Sequence, residues 1–153
     1  MPFVCTAQAY FLIEWTEISV WYACLVTAIW IFGYVVARLS NAQKDKFKRD
    51  QNAPFLGIIP KYLETREGRR ILTSGFWGLS RHPNYFGELA NSLAFGLMCG
   101  FDNNILCYSY SIFIWGLLFT RYERDHKKMK KKYGDSFETY CKRVPYKIIP
   151  YLY

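Results

Sequence analysis

Apolar residues in this chain come in runs separated by short polar breaks, and the runs are longer than the core stripe of a soluble helix requires. Ile18 to Leu39 carries no charged side chain before Arg38 and is long enough to cross a bilayer, which takes about 20 helical residues. Pro2 to Ile13 is apolar but shorter, and Glu14-Trp-Thr-Glu17 follows it as an acidic turn with an interfacial aromatic. From Ser40 to Ile71 the character changes, and Pro54, Gly57, Pro60 and Gly68 exclude a continuous helix, although Lys44 to Arg49 can extend the helix before them. Tyr85 to Phe101 is apolar except for Glu88, Asn91 and Ser92. Glu88 and Asn91 share a helical face with Tyr85, which predicts a face turned toward protein or a wet cavity. Gly100 to Asn104 reads as a turn, and Ile105 to Phe119 returns as a helix that runs on through Arg121 to Tyr133. In the tail, YCKRVPYKIIPYLY, Pro145 and Pro150 stop regular structure. The pattern predicts an all-α, polytopic transmembrane helical bundle. It forms one domain over 1–153, with spans at 2–13, 18–39, 85–101 and 105–119.

Composition sharpens this picture. Hydrophobic residues make up 52% and aromatics 20%, and the formal net charge is +8. All 20 Lys and Arg residues lie from Arg38 onward, and Glu14 and Glu17 are the sole charges before it. Basic loops alternating with apolar runs place Ser40–Ile71 and the segment after Arg121 on the cytoplasmic side, with the tip of the last hairpin on the other. A lipid bilayer is the expected partner, and no direct nucleic acid binding is expected. The five cysteines, Cys5, Cys24, Cys99, Cys107 and Cys141, are odd in number and contain no C-x-x-C; they read as small buried hydrophobes, with no disulfide framework or metal site. Met1 to Ile13 lacks the basic leader and cleavage site of a secretory signal.

The chemistry concentrates in LTSGFWGLSRHPNYFGEL, Leu72 to Leu89, which sets Trp77, Arg81, His82, Asn84, Tyr85 and Glu88 between glycines just before an apolar run. Polar groups at a membrane boundary are costly without a partner, so a bound polar ligand is the natural reading. Lys44 and Lys48, four apart, could hold a phosphate, although spacing alone favours a solvated stripe attracted to anionic lipid. Arg121, Asp125, Lys128 and Lys132 form a second charged stripe, in which Arg121 and Asp125 could equally be a surface ion pair. His82 before Pro83 reads as a helix start and not as a metal ligand, with His126 its one histidine companion. Together these groups outline a site for an anionic ligand with a flat ring and an amide, and no G-x-G-x-x-G is present to make a Rossmann cradle.

LTSGFWGLSRHPNYFGEL, RDHKKMKKKYG and YCKRVPYKIIPYLY resemble the C-terminal part of sterol delta-14 reductases and of the lamin B receptor membrane domain, and SNAQK and PFVCTAQAYFL resemble the segments before it. Pro83 and the Pro-Tyr within Ile149 to Tyr153 look nearer that branch than the delta-7 reductases. The resemblance implies NADPH-dependent reduction of a sterol ring double bond in sterol biosynthesis, by proton donation and hydride transfer. It places the protein as a multi-pass membrane protein of the endoplasmic reticulum or inner nuclear membrane. It also implies a C-terminal fragment whose partners include a sterol substrate and further N-terminal membrane helices, with an upstream tyrosine assisting the protonation. Carried over by position, Lys44, Lys48, Leu72, Trp77, Asn84, Tyr85, Arg121, Asp125, Met129, Lys132 and Tyr133 would line the NADPH site on a cytoplasmic face, and Asp125 would be the catalytic acid. Lys48 stands where relatives usually have Arg, Cys5 where they have Tyr, Glu88 where they have Asp, and Thr120 and Tyr122 where they have His and Glu. Two other readings stay open at this point: a lamin-receptor-like membrane protein without activity, and a prenylcysteine-type membrane methyltransferase, which shares R-H-P-x-Y with Arg81 to Tyr85.

Overall fold

The computed structural model describes residues 18–99 and 105–153. The expected span at 2–13, the acidic turn at Glu14–Glu17, Cys5 and the expected turn at Gly100–Asn104 lie outside the described residues. Helices dominate: α1 (Val20–Arg49), α2 (Phe76–Leu79), α3 (Pro83–Leu97), α4 (Ser109–Tyr133) and α5 (Asp135–Arg143), with a 3-10 turn at Ile105–Tyr108. The chain divides into two compact units, one of residues 1–35 and 87–120, the other of residues 36–86 and 121–153.

In the first unit, α1 carries an apolar window of mean hydropathy 1.9 and is the one helix among the described residues long and apolar enough to cross a membrane. Its Trp21, Leu25, Ile31 and Phe32 are exposed, a surface that suits hydrocarbon and not water. A Cβ added to Gly33 would lie 2.7 Å from the Gly87 carbonyl and 2.8 Å from Asn91 Oδ1, so glycine here lets two helix backbones meet. Between α3 and α4, Ser111 Oγ donates to the Ser92 carbonyl at 2.5 Å and Trp115 Nε1 donates to Ser92 Oγ at 3.0 Å. These bonds satisfy polar groups that an apolar surrounding would otherwise penalise. In the regions expected as spans, 85–101 and 105–119, the structure has helices with other ends. α3 ends at Leu97 and is 15 residues long, and α4 begins at Ser109, after the 3-10 turn. Glu88 is exposed while Tyr85 is buried, because three residues advance a helix about 300° and leave the two about 60° apart, enough to divide one face. Cys24 is exposed, unlike the buried Cys99 and Cys107, because it sits on the outer side of α1.

The second unit begins with the charged end of α1. Thirty helical residues reach about 45 Å, against a hydrocarbon layer of about 30 Å, so the helix continues past its apolar part, as Lys44 to Arg49 allow. The all-α expectation needs one correction. Tyr62–Glu64 (β1) and Arg70–Leu72 (β2) pair antiparallel, with Tyr62 opposite Leu72 and Glu64 opposite Arg70. The loop between them closes through Thr65 N to the Arg69 carbonyl at 2.7 Å, and Gly68 supplies a φ of 72°. Successive side chains of a strand point to opposite faces, and β2 uses both. Ile71 joins Phe137, Tyr140 and Val144 in one core cluster, and Leu72 joins Phe47 and Trp77 in the other. α5 is a further element that the tail's composition conceals. Gly134, at φ 50°, ends α4 and starts α5, whose Phe137 and Tyr140 turn inward while Asp135 and Glu138 sit in the first turn and Lys142 and Arg143 in the last, matching the helix dipole.

Candidate functional site

The site lies in the second unit and is built on one face of α1. Ser40, Gln43, Lys44 and Phe47 recur at three- and four-residue intervals, so they share that face. Gln43 spans Gly75 with its carboxamide, Oε1 accepting from Phe76 N at 3.1 Å and Nε2 donating to the Ser74 carbonyl at 3.2 Å. Gly75 has φ 62°, and a Cβ there would strike the Gln43 amide, so this glycine is required twice over. The chain so turned delivers Trp77, whose Nε1 donates to the Ser40 carbonyl at 2.8 Å and whose ring carries the Lys44 ammonium 4.0 Å above its centroid. Lys44 keeps water along part of its side chain, yet its ammonium end is crowded. Burial lowers its pKa, Lys48 lowers it further, and Asp125 and Asp45 oppose them.

Pro83 opens α3, with the His82 carbonyl accepting from Tyr85 N at 3.1 Å and Phe86 N at 3.3 Å. One turn in, the Tyr85 hydroxyl donates to Asp125 Oδ2 at 2.7 Å, and the Arg121 guanidinium lies 5.7 Å from the Tyr85 ring centre. Arg121 and Asp125 are therefore joined through Tyr85, which makes the simple surface ion pair an incomplete description. The His82 ring stacks on Tyr85 at 4.7 Å and 14° and meets Tyr122 edge-on at 5.4 Å. Burial pulls the His82 imidazole down to about 4, the Lys44 ammonium adds to this, and Asp125 opposes it, so His82 is neutral at pH 7. Beyond it, Tyr122 OH and His126 Nδ1 lie 3.3 Å apart, and burial, aided by Arg81, lowers the His126 pKa.

The structure thus brings together Lys44, Trp77, Tyr85, Arg121 and Asp125 among the expected residues. Trp77 is 5% exposed and Leu72 6%, so both serve as packed walls. Met129 and Tyr133 pack against the Phe137–Tyr140 cluster. Lys48 is exposed and pairs with Asp45 at 3.7 Å, and Lys132 is exposed with its ammonium 5.1 Å from the Tyr133 ring. Asn84 Oδ1 is buried without a hydrogen-bond partner. An unmet acceptor of this kind is where a ligand amide would be received. The lysine held on an indole, the guanidinium beside a phenol and the unmet carboxamide suit an anionic ligand that carries a flat ring and an amide. Among the described residues no group of three or more His, Cys, Asp or Glu could hold a metal ion.

Gln43 and Tyr122 are not among the site residues expected from sequence, and Arg81 and His82 enter there only as members of the polar motif, without a role of their own. His82 carries the one available signal, since it stands three residues before Tyr85 at the start of a helix. Gln43 falls on the Ser40–Lys44 stripe, but nothing in its spacing reveals that it brackets Gly75.

Comparison with known proteins places these residues in context. The chain is 38% identical to a mouse (Mus musculus) protein named delta(14)-sterol reductase TM7SF2 over its whole length, which covers 36% of that relative. It is 42% identical to the chicken (Gallus gallus) delta(14)-sterol reductase LBR over 95% of the chain and 23% of the relative. Against the Xenopus laevis 7-dehydrocholesterol reductase the identity is 37%, over all of the chain and 34% of the relative. The chain therefore spans about a third or less of the length of these relatives. The model of the ergosterol biosynthesis ERG4/ERG24 family matches residues 1–153, and the chain belongs to that family.

Proposed function

We propose that this chain carries the cofactor face and the catalytic acid of an NADPH-dependent reductase acting on a sterol ring double bond of the delta-14 type. Family membership replaces the methyltransferase reading. The observation that carries the proposal is the 2.7 Å bond from Tyr85 to Asp125 beside Lys44 and Arg121. Lys44 and Arg121 would hold phosphates, and Asn84 would meet the carboxamide with Trp77, Leu72 and Tyr85 as walls. Lys48, Met129, Lys132 and Tyr133 belong to the outer part of the same site. When bound, the reduced nicotinamide supplies a hydride. An alkene accepts hydride poorly until it is protonated, so an acid must act first or in concert. Tyr85 bonds to Oδ2 of Asp125, so Oδ1 is the oxygen through which Asp125 would deliver a proton to the alkene. The neutral His82 ring, stacked on Tyr85, excludes water from one side of the phenol. The setting is a multi-pass protein of the endoplasmic reticulum or nuclear envelope, with further membrane helices completing the sterol pocket and the site facing the cytoplasm.

The test is a chimera in which residues 1–153 replace the matched part of the mouse relative, assayed for sterol reduction and for NADPH affinity. Asp125→Asn should lower turnover at least about 100-fold, within the range for a lost general acid, and leave affinity nearly unchanged. Arg121→Gln should weaken NADPH binding about tenfold, as expected for a lost charge-assisted bond. Normal turnover by Asp125→Asn would remove Asp125 as the acid. Cofactor binding without turnover in the parent chimera would favour the lamin-receptor-like reading instead.

A further inference from the structure

The least expected side chain in the second unit is Arg81. It is 8% exposed, and its guanidinium finds no carboxylate in the hydrogen bonds it makes. Nη2 donates to the Pro145 carbonyl at 3.0 Å, Nε donates to the Tyr146 carbonyl at 3.4 Å, and Nη1 donates to Cys141 Sγ at 3.0 Å. The backbone repeats the grip. Arg81 N donates to the Tyr146 carbonyl at 2.9 Å and His82 N to the Lys147 carbonyl at 3.0 Å. The tail it holds is itself fastened, because the Tyr153 carbonyl oxygen accepts from the backbone N–H groups of Lys147, Ile148 and Ile149 at 2.8 to 3.1 Å. Lys147 Nζ also donates to Tyr153 OH at 2.9 Å. The segment after α5 is irregular yet hydrogen-bonded to itself, and its first residues, Pro145 to Lys147, lie against the two residues that precede α3.

A buried cation satisfied by carbonyl oxygens is an expensive way to fix a loop, since apolar packing fills space without desolvating a charge. Such an arrangement gives orientation. The two backbone bonds fix Arg81 and His82, and the planar fork sets the angle at which the chain turns into Pro83. His82 and Tyr85 follow within four residues, stacked ring on ring, and the Tyr85 hydroxyl is the group bonded to Asp125.

We propose that Arg81 is a positioning residue: by clasping the Pro145–Lys147 backbone it holds His82 stacked on Tyr85 and so aims the Tyr85 hydroxyl at Asp125. The groups around His82 are Lys44 from α1, Tyr85 from α3, and Tyr122, Asp125 and His126 from α4, together with Arg81 itself. The catalytic meaning of the clasp rests on the reductase reading, whereas the placement of His82 can be read without any activity.

The experiment uses the same chimera with Arg81→Lys, which keeps the charge and loses the fork. A second variant, Pro145→Gly, loosens the clasped backbone and leaves the guanidinium in place. Two readouts are taken: modification of His82 by diethyl pyrocarbonate, mapped by mass spectrometry against His126 in the same molecule, and kcat and KM for NADPH. In Arg81→Lys, His82 should label at least about fivefold faster relative to His126. There kcat should fall about tenfold with KM within about twofold, in line with a slight misplacement of a reacting group. Pro145→Gly should move both readouts in the same direction by less. Unchanged His82 labelling in both variants overturns the proposal, and so does a parallel rise at both histidines, which would mark general loosening. An inactive parent chimera would count against the reductase reading, and the labelling would still decide the role of Arg81.

Discussion

At the scale of single residues, His82 does more than begin a helix. Its imidazole stays neutral down to about pH 4 in the folded chain, against 6.5 for the ordinary group, chiefly through burial. Below pH 6.5 the unfolded chain binds a proton that the folded chain refuses. Stability therefore falls as pH drops through the window from 6.5 to about 4, and is fully retained above it. The full effect would approach about 3 kcal/mol. His82→Phe keeps a flat ring on Tyr85 and removes the titration, so the variant should lose less stability than the parent between pH 7 and pH 5. Chemical denaturation at the two pH values measures this, and an identical pH dependence would show that His82 is not buried as described. That neutrality cannot be read from R-H-P-N-Y, since it depends on Lys44, distant in sequence, and on the rings of Tyr85 and Tyr122.

Among the elements, α1 is the most legible, because a long charge-free run followed by lysines fits little besides a helix leaving a bilayer. The run-on of α4 through Arg121 to Tyr133 is equally visible in its charge spacing. The hairpin and α5 are not. Each strand of the hairpin has three residues, too few to show alternation, and its prolines and glycines dominate the local reading. α5 is short and mostly polar, and its apolar positions make sense only against Ile71 and Met129. Its importance can be weighed directly. Phe137 is 4% exposed within the Ile71–Tyr140–Val144 cluster, so Phe137→Ala should cost about 3 to 5 kcal/mol. Thermal or urea unfolding of the variant tests it, and a loss under about 1 kcal/mol would mean that α5 is only loosely attached.

For the whole molecule, the candidate site is reached through the resemblance of several ordered motifs, while spacing alone leads only to an anion site at a membrane boundary. Spacing cannot separate Lys44, held on Trp77, from Lys48, paired with Asp45 in solvent. Membrane orientation is the expectation that the charge pattern makes most directly testable. The segments 40–71 and 121–153 hold nearly all the basic residues, so both should be cut by protease added outside sealed microsomes. Protection of either segment would reverse the proposed topology. The two-sided strand β2 also bears on how this family can vary in length. A one-residue insertion within Arg70–Leu72 would turn Ile71 or Leu72 to the opposite face of the strand, away from its own cluster. The Thr65–Arg69 loop faces no such exchange. Over evolutionary time insertions and deletions should collect in that loop, while the strand itself keeps its length, because Ile71 and Leu72 must each reach their cluster on either side.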